Sequence, residues 1–202
     1  GIPEYEKSVL AGAVVAFDFH NHLYTPLICM KQNGLKIQVS PISLNDDEKM
    51  FVDLLHKYLD IHIDFLDGKT IYLLRNKSKV GMGFFEAGNF YPDYVLWVDT
   101  QDVQYVSFID PKGLTRVRSD DPKVEFYKKI KDLEARLQPT APDKRIVLNS
   151  FIMSGTKSMD LKQWWNMSKP EREAKNVLCL DNDDCIEVMF SKILIAKQAG
   201  VE

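Results

Sequence analysis

The chain has 202 residues and a formal net charge of −3, which gives room for one domain with a real core and no global positive field. Any contact with a polyanion must therefore come from a local basic patch. Its 45% hydrophobic and 27% charged residues exclude the low-hydrophobicity signature of disorder.

The longest apolar runs, such as Val14 to Phe17 and Tyr94 to Val98, fall far short of the roughly 20 residues of a membrane span. No basic segment followed by an apolar stretch opens the chain, so the expected setting is cytoplasmic with no membrane partner. The three cysteines, Cys29, Cys179 and Cys185, are odd in number and lack CxxC spacing. That argues against a disulfide framework and a zinc site and for thiols as small buried hydrophobes. The first residue is Gly rather than Met, consistent with a tag-cleaved chain or a piece of a larger protein.

From Val14 to Val39 apolar and polar residues alternate loosely, with turn signals at Asn21 and Asn33-Gly34, which predicts a strand pair. Ser43 to Glu48 opens a helix whose apolar stripe is Phe51, Val52, Leu55, Tyr58 and Leu59 and whose end falls near Asp60. Strands are predicted at Thr70–Arg75, Asp93–Val98 and Tyr105–Ile109. The second is apolar after Asp93, as in a strand buried on both faces. A helix follows from Pro122 to Leu137, with Val124, Tyr127, Ile130, Leu133 and Leu137 on one face. Then come strands at Arg145–Met153 and Val177–Leu180 and a last helix over Asp184–Ala196. The order helix, three strands, helix, strand predicts an α/β fold, a central mixed sheet flanked by helices. A single domain is expected over residues 1–202, with N-terminal strands in 1–42, a core in 43–154 and further helices and a strand in 155–202.

Three short segments carry chemistry. Asp110-Pro111-Lys112 follows the strand ending at Ile109. On an extended chain Asp110 and Lys112 share a face about 6–7 Å apart, whereas Asp-Pro-x-Gly is also a good type I turn. Pro92-Asp93 precedes the apolar strand, after a segment from Gly81 to Tyr91 whose aromatics imply order against the sheet. Glu48 lies on the helix stripe, where a carboxylate needs a partner or a metal, although Asn45 and Glu48 also have capping-box spacing. Together they would deliver carboxylates from two strands and a helix, with a lysine beside one. Such an oxygen-rich set suits Mg²⁺, with Mn²⁺ as its substitute, better than zinc.

This arrangement resembles the PD-(D/E)XK nuclease superfamily, in Glu48, Pro92-Asp93 and Asp110-Pro111-Lys112. The wording His22-Leu23-Tyr24-Thr25-Pro26-Leu27, Gly83-Phe84-Phe85-Glu86-Ala87, Asn89-Phe90-Tyr91-Pro92-Asp93 and Phe108-Ile109-Asp110-Pro111-Lys112-Gly113 is similar to the C-terminal nuclease region of type III restriction subunits and related DEAD/DEAH-box helicase proteins. The resemblance covers residues 21–137. It implies a restriction-endonuclease-like core and Mg²⁺-dependent endonuclease action on DNA within a restriction or phage-defence system. A helicase, ATPase or recognition subunit is an expected partner. Asp93 and Asp110 would ligate the metal, Glu48 would assist, and Lys112 would position or activate the attacking water. Glu86 recurs in this wording and is read as structural. No GxxxxGK[ST] loop occurs in these residues, so ATP hydrolysis is not assigned. The alternative is a catalytically silent domain of the same fold that docks a partner or grips nucleic acid, and RNA cleavage would leave the same signature.

His20, His22, His56 and His62 form no ligand cluster with the carboxylates at a usable spacing. Arg116, Arg118 and Lys128, the last in a run with Lys129 and Lys131, are candidate phosphate contacts, though such runs are usually solvated faces. Trp164-Trp165 reads as a core or interface anchor or as a base-stacking pair.

Overall fold

Alternation along the strands decides which side of the sheet each helix covers. The computed structural model describes residues 14–17, 27–30, 44–76, 83–84, 90–138 and 144–195. Strands β1 (Val14–Phe17) and β2 (Leu27–Met30) pair antiparallel, with Val14 opposite Met30, as the alternation there predicts. The Asn33-Gly34 signal lies outside the described residues.

Helix α1 (Asp46–Ile61) starts at a capping box. The Asn45 side chain accepts the Glu48 N–H at 2.9 Å, and the Glu48 carboxylate accepts the Asn45 N–H at 3.0 Å, so two otherwise orphaned donors are satisfied. After a 3-10 turn at Ile63–Leu66 come β3 (Thr70–Arg75), β4 (Tyr94–Asp99), β5 (Val103–Lys112), α2 (Phe126–Leu137) and β6 (Arg145–Ser154). Helices α3 (Ser158–Trp165) and α4 (Lys169–Ala174), strand β7 (Val177–Cys179) and helix α5 (Cys185–Ile195) complete the described chain. The sheet runs β3-β4-β5-β6-β7, antiparallel as far as β5 and parallel beyond it. The protein is thus α/β, with a five-stranded mixed sheet flanked by helices.

One set of alternate residues, Leu73, Tyr94, Leu96, Val98, Tyr105, Ile109, Val147, Phe151 and Met153, packs with α1 through Phe51, Val52 and Leu55 and with α5 through Ile186, Met189, Phe190 and Ile193. The other set, Val95, Val106, Phe108 and Leu148, packs with Phe126 and Ile130 of α2 and with Phe90. Each such side chain taken from water stabilises by roughly 1.5–3 kcal/mol. Cys179 and Cys185 are buried and unpaired with each other, behaving as the small hydrophobes expected.

The start of the second helix differs from the sequence reading. Helix α2 begins at Phe126 rather than Pro122, because the Asp121 side chain accepts the Lys123 N–H at 2.9 Å and holds 122–125 in turns. Its buried residues are Phe126 and Ile130, while Leu137 is exposed and Tyr127 half-exposed. The polar face of α2 also has work at the sheet. Strand β7 reaches only Ile152 to Ser154 of β6, which leaves the start of β6 with an open edge. Gln138 accepts the Ile146 N–H at 2.9 Å, Glu134 accepts the Leu148 N–H at 2.7 Å, and Lys131 donates to the Leu148 carbonyl at 2.6 Å. These side chains close an edge that would otherwise invite pairing.

Candidate active site at the ends of β4 and β5

The strand reading of Asp110-Pro111-Lys112 holds and the turn reading falls. Asp110 pairs with Ile152, Pro111 with Met153 and Lys112 with Ser154, so β5 runs three residues past its predicted end. A proline fits inside this strand for a local reason. Pairing with β4 stops at Tyr94 opposite Ile109. The Lys112 carbonyl accepts the Gly155 N–H at 3.2 Å, so Lys112 turns its backbone groups toward β6. Pro111, one residue earlier, turns its missing donor toward the side where β4 has ended. Asp110 and Lys112 share a face, and the Lys112 ammonium hydrogen-bonds the Asp110 carboxylate.

Extending the β4 and β5 register by one residue sets Asp93 opposite Asp110. Asn76 fixes the approach to β4 by donating its N–H to the Asp93 carbonyl at 2.7 Å and its side-chain amide to the Pro92 carbonyl at 2.8 Å. The Asp93 and Asp110 carboxyls hydrogen-bond each other. Burial, then the charge and hydrogen bond of Asp110, then Glu48, push Asp93 up to about 8 against the opposing pull of Lys112. Two carboxyls this close cannot both ionise without a counter-charge. Lys112 also lies 5.7 Å from the centroid of the Phe90 ring, an apolar wall beneath the site.

Glu48 stands beside this group and is held separately. Arg75 donates to its carboxylate at 3.2 Å, with both side chains about 10% exposed, while the capping box binds the same oxygen. Glu48 therefore raises Asp93 through space but serves first as a cap and as the partner of Arg75. Among the described residues no group of three or more His, Cys, Asp or Glu is placed to hold a metal ion. Of the three carboxylates expected to converge, Asp93 and Asp110 are in direct contact, while Glu48 binds Arg75 and the Asn45 N–H through one oxygen. Arg75→Met should destabilise the protein by about 3–5 kcal/mol, since it strands a nearly buried carboxylate. Adding Glu48→Gln should recover part of the loss in urea unfolding, and a double variant no more stable than Arg75→Met would show that the charge pair is not the cause.

Asp47 is the residue the sequence reading missed. Its carboxyl accepts the backbone N–H of Gly113, next to Lys112, and burial raises its pKa despite that bond, with Asp46 adding repulsion. A Cβ at Gly155 would lie 1.8 Å from Asp47 Oδ1, so glycine there lets the carboxylate reach the ends of β5 and β6. Thr156 adds a second tie, its hydroxyl accepting the Leu114 N–H at 2.7 Å. The start of α1 is thereby fastened to the chain leaving Lys112. The run Asp46-Asp47-Glu48 was visible as helix-start acids, but the partners lie on distant segments.

Of the candidate phosphate contacts, Lys128 is paired with Glu125 at 2.6 Å and Arg118 with Asp120 at 2.7 Å. Arg116 is exposed. His56 pairs with Asp60 at 2.9 Å and His62 stacks on Tyr58, so neither takes part in the site. Glu86, His20 and His22 lie outside the described residues. No family model, curated protein or solved structure matches the chain.

Proposed function

We propose that this chain is a Mg²⁺-dependent nuclease of the PD-(D/E)XK type that hydrolyses DNA phosphodiester bonds. The observation that carries the reading is the meeting of Asp93, Asp110 and Lys112 at the ends of two adjacent strands. The order α1-β3-β4-β5-α2-β6, with an antiparallel meander and a parallel crossover, supports a restriction-endonuclease-like core.

The donor set suits a hard divalent cation, because two carboxyls driven to share a proton are relieved by a positive charge between them. Asp93 and Asp110 would hold it, and Mn²⁺ would substitute. When bound, such an ion lowers the pKa of water and neutralises charge on phosphoryl oxygens. Lys112 orients the attacking water and stabilises the charge that develops on the phosphate. Phe90 keeps the lysine side chain in place, and Asp47 fixes the strand ends that carry it. Glu48, paired to Arg75, keeps α1 docked at the site and deepens the negative potential there.

The catalytically silent reading draws on one observation, the direct engagement of Lys112 by Asp110. Incubation with plasmid, linear DNA and RNA in Mg²⁺, Mn²⁺ and EDTA separates the two. DNA cleavage that requires the divalent ion is expected. Cleavage undiminished in EDTA would remove the metal from the mechanism, and no cleavage under any condition would leave the silent domain. A restriction or phage-defence role, with a motor or recognition partner, follows from the resemblance and is tested by adding such subunits.

A further inference from the structure

The chain leaving Lys112 builds a second feature. Residues 114–120 and the end of α3 enclose an open groove of about 400 Å³ lined by Arg116, Val117, Arg118, Asp120, Trp164 and Trp165, within the size range of small-ligand sites. The two tryptophans are not equivalent. Trp165 donates its indole N–H to the Val117 carbonyl at 2.8 Å and packs against Leu114, Val124 and Leu161, so it locks α3 to the loop. Trp164 is 49% exposed and is carried by that locked helix with its indole still in contact with water. A large aromatic on an anchored helix, left half in water, offers a face on which a ring can stack.

The charges around it are also unequal. Arg118 makes a two-point contact with Asp120 at 2.9 and 2.7 Å, which answers its charge. Arg116 is exposed, and no ion pair involving it occurs among the described residues. It lies four positions after Lys112, so their Cα atoms are at most about 15 Å apart. An aromatic face, a cation and adjacency to the strand that carries Lys112 converge on one occupant.

We propose that this groove binds an unpaired nucleotide of the DNA substrate, with its base stacked on Trp164 and its phosphate on Arg116. The proposal rests on the nuclease reading for its substrate. In a duplex both faces of each base are covered by neighbours, so only a frayed end, flap or single strand can offer a base to the indole. Stacking of this kind is worth about tenfold in affinity per base and tolerates any sequence. The groove would therefore direct cutting toward junctions between paired and unpaired DNA without reading bases.

The test uses the full chain and fluorescently labelled oligonucleotides, with anisotropy read in EDTA so that binding is separate from chemistry. Wild type should prefer short oligo(dT) to a blunt duplex of equal length. Trp164→Ala should reduce that preference about tenfold or more, and Trp164→Phe should restore most of it. Arg116→Gln should lower the salt slope of oligo(dT) binding by about 0.7, the share of one single-strand phosphate. In Mg²⁺, wild type should cut a flapped substrate faster than a blunt one, and Trp164→Ala should narrow the difference. An unchanged single-strand preference in Trp164→Ala, or equal losses on both substrates, overturns the proposal. Absence of cleavage by wild type in Mg²⁺ would instead overturn the nuclease reading, with the EDTA binding data still deciding the groove.

Discussion

Lys112→Ala is expected to slow DNA cleavage in Mg²⁺ by at least about 10²-fold, the usual loss on removing one group that stabilises charge in a transition state. The reasoning is geometric. Asp110 and Lys112 share a face of β5, so an ion held by Asp110 and a water held by Lys112 would meet the same phosphate. The substitution also removes the cation beside a carboxylate that is only 6% exposed, which raises the question of folding. Asp110 keeps its hydrogen bond to Asp93, and that pair can hold a shared proton in place of the lost ammonium. Lys112→Met, which retains the alkyl chain against Phe90, separates lost packing from lost charge. Both variants should lose cleavage while their urea midpoints differ. Lys112→Arg should rescue little, because a planar guanidinium does not present the compact point charge of an ammonium. Cleavage by Lys112→Met within a few fold of wild type would exclude the lysine from the chemistry.

The strands, the order of the elements and the pairing of Asp110 with Lys112 were legible because they depend on short-range pattern. Alternation of period two fixes both the buried faces of β4 and β5 and the shared face of residues two apart. What the sequence could not resolve was where local preference yields to distant partners. Asp-Pro-Lys-Gly has good turn chemistry, and only the end of β4 at Tyr94 explains why it continues as strand. Glu48 satisfied two local readings at once. The structure shows the cap and adds a partner, Arg75, 27 residues away, that no local pattern announces. Asp47 meets Gly113 and approaches Gly155 through contacts between chain segments that no local period encodes. The adjacent tryptophans are identical in composition, yet only the Val117 carbonyl decides which is an anchor and which is left to water. The lysines of the basic run on α2 are exposed, as a solvated face requires, but the added reach of Lys131 to the Leu148 carbonyl depends on the edge of β6 that β7 leaves uncovered.

Without divalent ion, wild type is expected to lose stability as the pH rises from about 5 to 8, and Asp93→Asn to lose that dependence. Asp93 is pushed from 3.8 up to about 8 in the folded protein by burial and by Asp110. Its native state thus holds a proton that the unfolded chain releases, and stability falls with pH wherever the native state binds more protons. The contribution is full below about pH 4 and is lost as the pH passes through 8. Each tenfold change in proton affinity is worth about 1.4 kcal/mol, so the whole window amounts to a few kcal/mol once sharing with Asp110 is allowed for. Asp93→Asn keeps a donor for Asp110 and removes the charge, and it should be the more stable protein at pH 8 in EDTA. On the proposed reading Mg²⁺ should reverse the ranking: a cation held by Asp93 and Asp110 would displace the proton, so its stabilisation of wild type should grow with pH and be accompanied by proton release. Asp93→Asn and Asp110→Asn should show little of it. Urea unfolding at pH 5.5 and 8, in EDTA and in Mg²⁺, checks both halves. Parallel pH slopes for wild type and Asp93→Asn in EDTA would break the assignment of the proton to this pair, and an undiminished Mg²⁺ response in Asp110→Asn would move the ion elsewhere.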